Sequence, residues 1–214
     1  MGFEQMHEKS PALGQFYILR FDFRSGGRGH GVEVENGEDI PPPVGLSTPP
    51  ESGGLASLRV MPRLRYDPRL GEMPKDLQSG ITDYWLVSEP LKQLFQSADP
   101  DGFAFAECDF HLEDGTQAPP HYFCEVTRVI DAIDLACSEV KVLTEGYPNG
   151  KHYSVSGGAR LAFDSSVVGT AHVFMTPYTA DVFCDRVLRD ALIASGFGFG
   201  SAARGVRLID AARI

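Results

Sequence analysis

The sequence predicts an α+β fold: short antiparallel strands with two amphipathic helices packed against them. Three observations lead there. Short runs rich in aromatic and β-branched residues recur along the chain. Two stretches, "SEPLKQLFQ" and "TADVFCDRVLRDALIAS", instead repeat apolar side chains at helical spacing. Glycine, proline and asparagine clusters punctuate the intervals between them.

"GQFYILRFDF" (14–23) reads as the first strand. The turn "RSGGRGHG" and the segment "EDIPPPVGLSTPPESGG" (38–54) follow, and five prolines in the latter exclude a helix or central strand. That segment is expected to be a long surface loop, with a proline-motif ligand as the alternative. "LASLRVMPRLRYDPRL" (55–70) holds four arginines, and Pro62 and Pro68 break it into extended pieces. Its arginines are expected to pair with nearby carboxylates; half of an interaction surface is the other reading.

"DYWLV" (83–87) is a short strand. Ser88 then caps a helix that has Glu89 and Pro90 in its first turn and Leu91, Leu94 and Phe95 on one face. "DGFAFAECDFHL" (101–112) alternates as a strand, "EDGT" (113–116) turns the chain, and "HYFCEVTRVIDAIDL" (121–135) returns as a strand ending in a helical turn. "SEVKVL" and "ARLAF" are strand candidates on either side of the turn "EGYPNGK", and "AHVFMT" is another. The strongest helix spans 179–195. Its stripe is Phe183, Val187, Leu188, Ala191 and Leu192, and Gly196 stands where a left-handed cap belongs.

Two related strand–helix–strand units emerge. Gly102-Phe103-Ala104-Phe105 and Gly196-Phe197-Gly198-Phe199 each follow a helix and set two phenylalanines on one side of the next strand. The glycine run "SGFGFGSAARG" (195–205) therefore closes a helix. A phosphate loop would open one. The expected division is an N-terminal part over 1–72, a strand with long Gly/Pro-rich loops packed on the main body, and an α+β domain over 73–214.

With 29 acidic and 19 basic side chains the formal net charge is −10, which argues against nucleic acid or an anionic membrane as partner. Eleven acids between 95 and 145 face only Arg128 and Lys141, so this stretch nets −9. It is either a solvated face or a surface that meets a basic partner, with Asp99, Asp101, Glu113 and Asp114 as the candidate contacts. The start "MGFEQMHEKSPALGQ" has neither the basic nor the apolar part of a signal peptide, so a cytoplasmic location with four free cysteines is expected.

Cys108-x-x-His111 and His121-x-x-Cys124 have the residue types of a zinc site, but residues three apart in a strand point to opposite faces, so packing is the expected role. Asp131 and Asp134 have the spacing of carboxylates that cap a turn, or of a pair for metal or acid/base work. With no G-x-S-x-G, H-E-x-x-H or P-loop, neither catalysis nor a cofactor is expected.

The order of these features resembles the bacterial immunity-protein-11 family over about 73–210. The resemblance rests on "MPKDLQSGITDYWLVSEPLKQLFQ", on "YFCEVTRVIDAIDLACSEV" with its Asp131, Asp134 and Ser138 turn, and on "HVFMTPYTADVFCDRVLRDALIASGFGFGSA". "QFYILR" (15–20) is similar to the family's opening strand, whereas "RSGGRGHG" and 38–54 depart from its pattern. The resemblance implies a non-catalytic antidote used in interbacterial competition. Such a protein binds a cognate secreted toxin or effector, a nuclease being one candidate, and protects the producing cell. A metal-dependent hydrolase using Cys108, His111, His121 and Cys124, or Asp131 and Asp134, is one alternative; a non-catalytic regulatory or scaffold module is another.

Overall fold

The computed structural model describes residues 10–25, 29–45, 48, 53–198 and 204–214. Along the chain run β1 (Phe16–Phe21), β2 (Val32–Val34), β3 (Arg63–Tyr66), β4 (Leu77–Ile81), β5 (Tyr84–Ser88), α1 (Glu89–Ala98), β6 (Phe103–Glu107), β7 (Asp109–His111) and β8 (His121–Val126). After these come β9 (Lys141–Leu143), β10 (His152–Ser154), α2 (Ser165–Val168), β11 (Val173–Met175), β12 (Val182–Asp185), α3 (Arg186–Ala194) and β13 (Val206–Asp210). The fold is α+β and mostly β. Among the described residues no helix is long and apolar enough to cross a membrane.

Two four-stranded antiparallel sheets dominate. The first has the order β4-β5-β8-β6 and the second β11-β12-β1-β13. In each, a hairpin leads straight into a helix, and the strand after that helix lies on the far side of an inserted strand. The inserted strand is β8 in the first sheet and β1 in the second, so the N-terminal segment supplies an interior strand. A three-stranded sheet β2-β3-β7 and the ribbon β9-β10 complete the β structure.

Both faces of each large sheet are buried. The inner faces share a core with the two helices, where Leu91 and Phe95 of α1 and Leu188 and Leu192 of α3 join Leu19, Val87, Val126, Val173 and Val206. Phe95 stacks on Phe103 with ring centroids 4.2 Å apart. Tyr84, Leu86 and Phe123 on the outer face of the first sheet pack against Leu64 and Phe110 of the small sheet. Ile18, Phe174 and Phe183 on the outer face of the second pack against Ile133, Tyr153 and Leu161.

Several local expectations change in this setting. The helix predicted over 179–195 begins only at Arg186. Its first part is β12, because β1 and β11 supply backbone partners on both sides. Phe183 consequently faces the outer core, and Val187 is 56% exposed. Asp185 caps the helix by accepting from the Leu188 amide at 3.0 Å. The strand predicted over 101–112 divides at Cys108, where the next amide, that of Asp109, bonds the Pro62 carbonyl and the chain leaves for the small sheet. "ARLAF" forms only isolated bridges, Glu139↔Arg160 and Ile133↔Phe163. Ser88 occupies the cap position of α1 without bonding its amides, and its hydroxyl donates to Asp76 at 2.5 Å.

The glycine run closes α3. Gly196 is left-handed at φ +82°, and the amides of Gly196 and Phe197 reach the carbonyls of Ile193 and Leu192 at 3.0 and 2.9 Å. Phe197 is buried beneath the Arg204 guanidinium, and Arg204 bonds Asp76 at 2.8 Å. The strand expected at Phe197 starts instead at Val206; Phe199 lies outside the described residues.

Asp99, at the end of α1, is buried. Its Oδ2 receives Arg128 and the amides of His172 and Val173, the latter two at 2.8 and 3.2 Å. Gly102 lets the turn close around it, since a Cβ there would stand 2.5 Å from Val173 and 2.8 Å from the Asp99 carboxyl carbon.

Two predictions follow from this packing. Asp99→Ala strands Arg128 and two amides, and is expected to lower the unfolding free energy by about 3–5 kcal/mol in urea titration. Gly196→Ala meets no atom within 4 Å, so its expected cost is the left-handed backbone alone, about 1–2 kcal/mol. Thermal melts of the two variants should rank them in that order.

Candidate functional site

A groove of about 1090 Å³ opens where the ends of the two large sheets meet. It exists because β8 runs out at Val126 and the chain crosses to the second sheet. There Met175 donates its amide to Arg128 and accepts from Ile130. Alternation then turns Arg128 toward Asp99 and leaves Val129 41% exposed at the groove. Trp85, Val126, Met175 and Val182 line the groove, with residues 42–45 on one side and 176–180 on another. Tyr84 ties down the proline segment by donating its hydroxyl to the Pro41 carbonyl at 2.9 Å.

The polar chemistry of the groove is one-sided. Glu125 and Asp83 line it, and no lysine, arginine or histidine does so among the described residues. Asp83 is exposed on the β4–β5 turn, where it and Thr82 take positive φ values of 63° and 52°, as a tight hairpin requires. Glu125 Oε1 accepts from the Leu55 amide at 3.1 Å, whereas Oε2 is buried without a hydrogen-bond partner among the described residues. Burial pushes this carboxyl above its ordinary range, and the amides of Leu55 and Val44 offset only part of that. Thr176 is 3% exposed, and its Oγ1 also has no partner among the described residues. The neighbouring cation, Lys151, is held elsewhere. Its Nζ lies 3.2 Å from Asp131 and 2.6 Å from the Tyr153 hydroxyl, over the Tyr178 ring at 4.0 Å.

The four acids singled out from the sequence do not form one patch. Asp99 is internal, a correction to its reading as a surface contact: its carboxylate is consumed by the Arg128 pair and two amides. Asp101 is exposed in the α1–β6 turn, where its carbonyl accepts from Thr127 at 2.7 Å. Glu113 and Asp114 are exposed beyond β7, with Glu113 3.9 Å from Arg69 and Asp114 bonded to Thr116 within its turn. Asp101 precedes β6, whose Phe103 pairs with Val126 at one end of β8, whereas Glu113 and Asp114 follow β7, in the segment that enters β8 at His121, its other end. Asp101 stands at the groove end, since Phe103 and Val126 are paired.

Pairing with residues elsewhere in the chain also reduces the −9 counted over 95–145. Arg69, Lys151 and Arg160 come from outside that stretch to Glu113, Asp131 and Glu139. The arginines of 55–70 behave as expected at two positions, Arg65 pairing with Glu33 and Arg69 with Asp67.

The other sequence candidates are dispersed. Cys124 packs in the shared core and Cys108 in the outer core of the first sheet, so these strands do not gather Cys108, His111, His121 and Cys124. His121 bonds the Pro119 carbonyl at 2.8 Å. Asp134 caps its turn through the Ala136 amide, but Asp131 does not share that role and binds Lys151 and Tyr153. His172 meets Asp185 at 2.8 Å, a contact its place in an apolar strand did not suggest.

Sequence reasoning missed the groove and the character of Glu125. One signal was present: Glu125 stands between Cys124 and Val126, both of which the structure buries.

A model of the Immunity protein family (Imm11) matches residues 15–213, so the likeness extends well into the N-terminal third, beyond the 73–210 carried by the motifs. No curated protein matches the chain in sequence.

A raised carboxyl pKa in the folded state means that folding favours the protonated form. The contribution of Glu125 to stability is therefore fully present below the ordinary value of 4.5 and is lost as pH rises through the folded value. Glu125→Gln, neutral at every pH, is expected to melt higher than the wild type at pH ~7. The two melting curves should converge below pH ~4, and calorimetry across that range checks the sign.

Proposed function

The chain belongs to the immunity protein family Imm11, and from that premise we propose that it neutralises a cognate antibacterial toxin by stoichiometric binding, without catalysis. The family match over residues 15–213 carries this reading. The toxin acts in the cytoplasm of the cell that makes both proteins, and the antidote meets it there.

The charge of −10 favours a toxin with a basic surface. An acidic protein field accelerates encounter with such a partner and suppresses wrong ones. A nuclease fits this description, because its substrate groove must attract phosphates, and an acidic antidote laid across it excludes the nucleic acid. With Asp99 internal, the exposed contacts are Asp101 at one end of β8 and Glu113 with Asp114 at the other. The matching order and direction of strands in the two large sheets support reading them as two copies of one strand–helix–strand unit.

The test is co-expression with the toxin encoded beside this gene, which is expected to be lethal alone and tolerated with the antidote. Reversing Asp101, Glu113 and Asp114 to lysine should slow association about tenfold at low salt. That difference should vanish in about 1 M salt, where the screening length is about 3 Å. Reversing each end separately identifies which end faces the toxin. An antidote that gives no protection, or a triple variant with unchanged rates at low salt, contradicts the corresponding part of the reading.

A further inference from the structure

We infer that the groove between the sheet ends is the anchor pocket of the toxin interface. It receives a protruding apolar segment of the partner protein that carries one lysine or arginine, whose head group is directed to Glu125. This rests on the immunity reading for the identity of the partner, but not for the chemistry of the pocket.

The lining sets that chemistry. Trp85, Val126, Met175 and Val182 offer apolar surface that gains by being covered. Met175 adds an adaptable side chain, of the kind that moulds to a bound segment. Two carboxylates and no cation line this surface among the described residues, so the favoured guest is positively charged. Lys151 does not fill that need, because Asp131, Tyr153 and Tyr178 already hold it.

The buried acceptors narrow the guest further. Among the described residues Glu125 Oε2 and Thr176 Oγ1 have no partner, and buried polar atoms without partners are uncommon and costly. A guanidinium or ammonium brings several donors and no acceptor, on a stem of methylenes that lies along apolar walls. Trp85 presents a ring that favours the same cation. A guest carboxylate would meet Glu125 with like charge, and a wholly apolar guest would leave both atoms unmatched. The groove is large enough for several side chains, and the exposed residues Asp83, Val129 and Ala180 at its mouth continue onto open surface, as a protein segment requires.

Two binding experiments on the full chain test this, with Glu125→Gln, Ala180→Arg and Val129→Arg as groove variants and Glu72→Lys, exposed and outside the groove, as a remote control. In the first, a displayed library of short random peptides is selected on the wild-type protein. Peptides with a basic residue among apolar ones are expected, weakened about tenfold or more by each groove variant and not by the control. Selection of acidic or uncharged peptides, or equal binding to the groove variants, overturns the inference. In the second, the toxin encoded beside this gene is titrated in inactivated form. A loss of about tenfold or more in the groove variants is expected, and Glu125→Gln should weaken binding without lowering its melting temperature. Toxin that binds wild type and groove variants alike overturns the anchor. Toxin that fails to bind the wild type, while basic peptides still bind the groove, overturns the immunity reading and the choice of partner but leaves the pocket chemistry standing.

Discussion

The carboxylate of Asp99 is the joint on which both large sheets depend. It lies at the end of α1, which packs on the first sheet, and its Oδ2 receives the amides of His172 and Val173 at the start of β11 in the second. Arg128, on the segment that crosses between the sheets, completes the contact. A buried carboxylate without these partners would be costly, so the three donors and the acid define one another's positions. Gly102 belongs to the same joint, since any side chain there would collide with both Val173 and Asp99.

The shared core is organised around that joint. α1 and α3 pack against each other and against the inner faces of the sheets, so Phe95, Phe103, Leu188 and Leu192 share a single cluster. The segment that brings Arg128 to Asp99 turns Val129 outward to the groove. The position of the groove is thus a by-product of the arrangement that closes the core.

Much of this was legible locally. The first strand, the hairpin strand "DYWLV", the helix after Ser88 and the Gly196 cap are all marked by residue types and spacings within a few positions, and the structure contains each of them. The reading of 179–195 as one helix failed because Phe183 and Val187 also fit a helical stripe, and only long-range pairing of β12 with β1 and β11 decides against it. Charge counting failed in the same way. A carboxylate looks alike in sequence whether it is exposed, as Asp101 is, or enclosed, as Asp99 is.

By itself the sequence determined the α+β class, the acidic balance, most helix and strand starts, the role of the glycine run and the family resemblance. These rest on periodicity, composition and backbone preferences that act between near neighbours. Only the tertiary structure decided that Asp99 is a joint, that Arg69, Lys151 and Arg160 neutralise distant acids, and that Glu125 and Thr176 converge on one groove. Those facts depend on segments far apart in the chain meeting at particular distances, and a side chain's desolvation and its partners are set by that meeting.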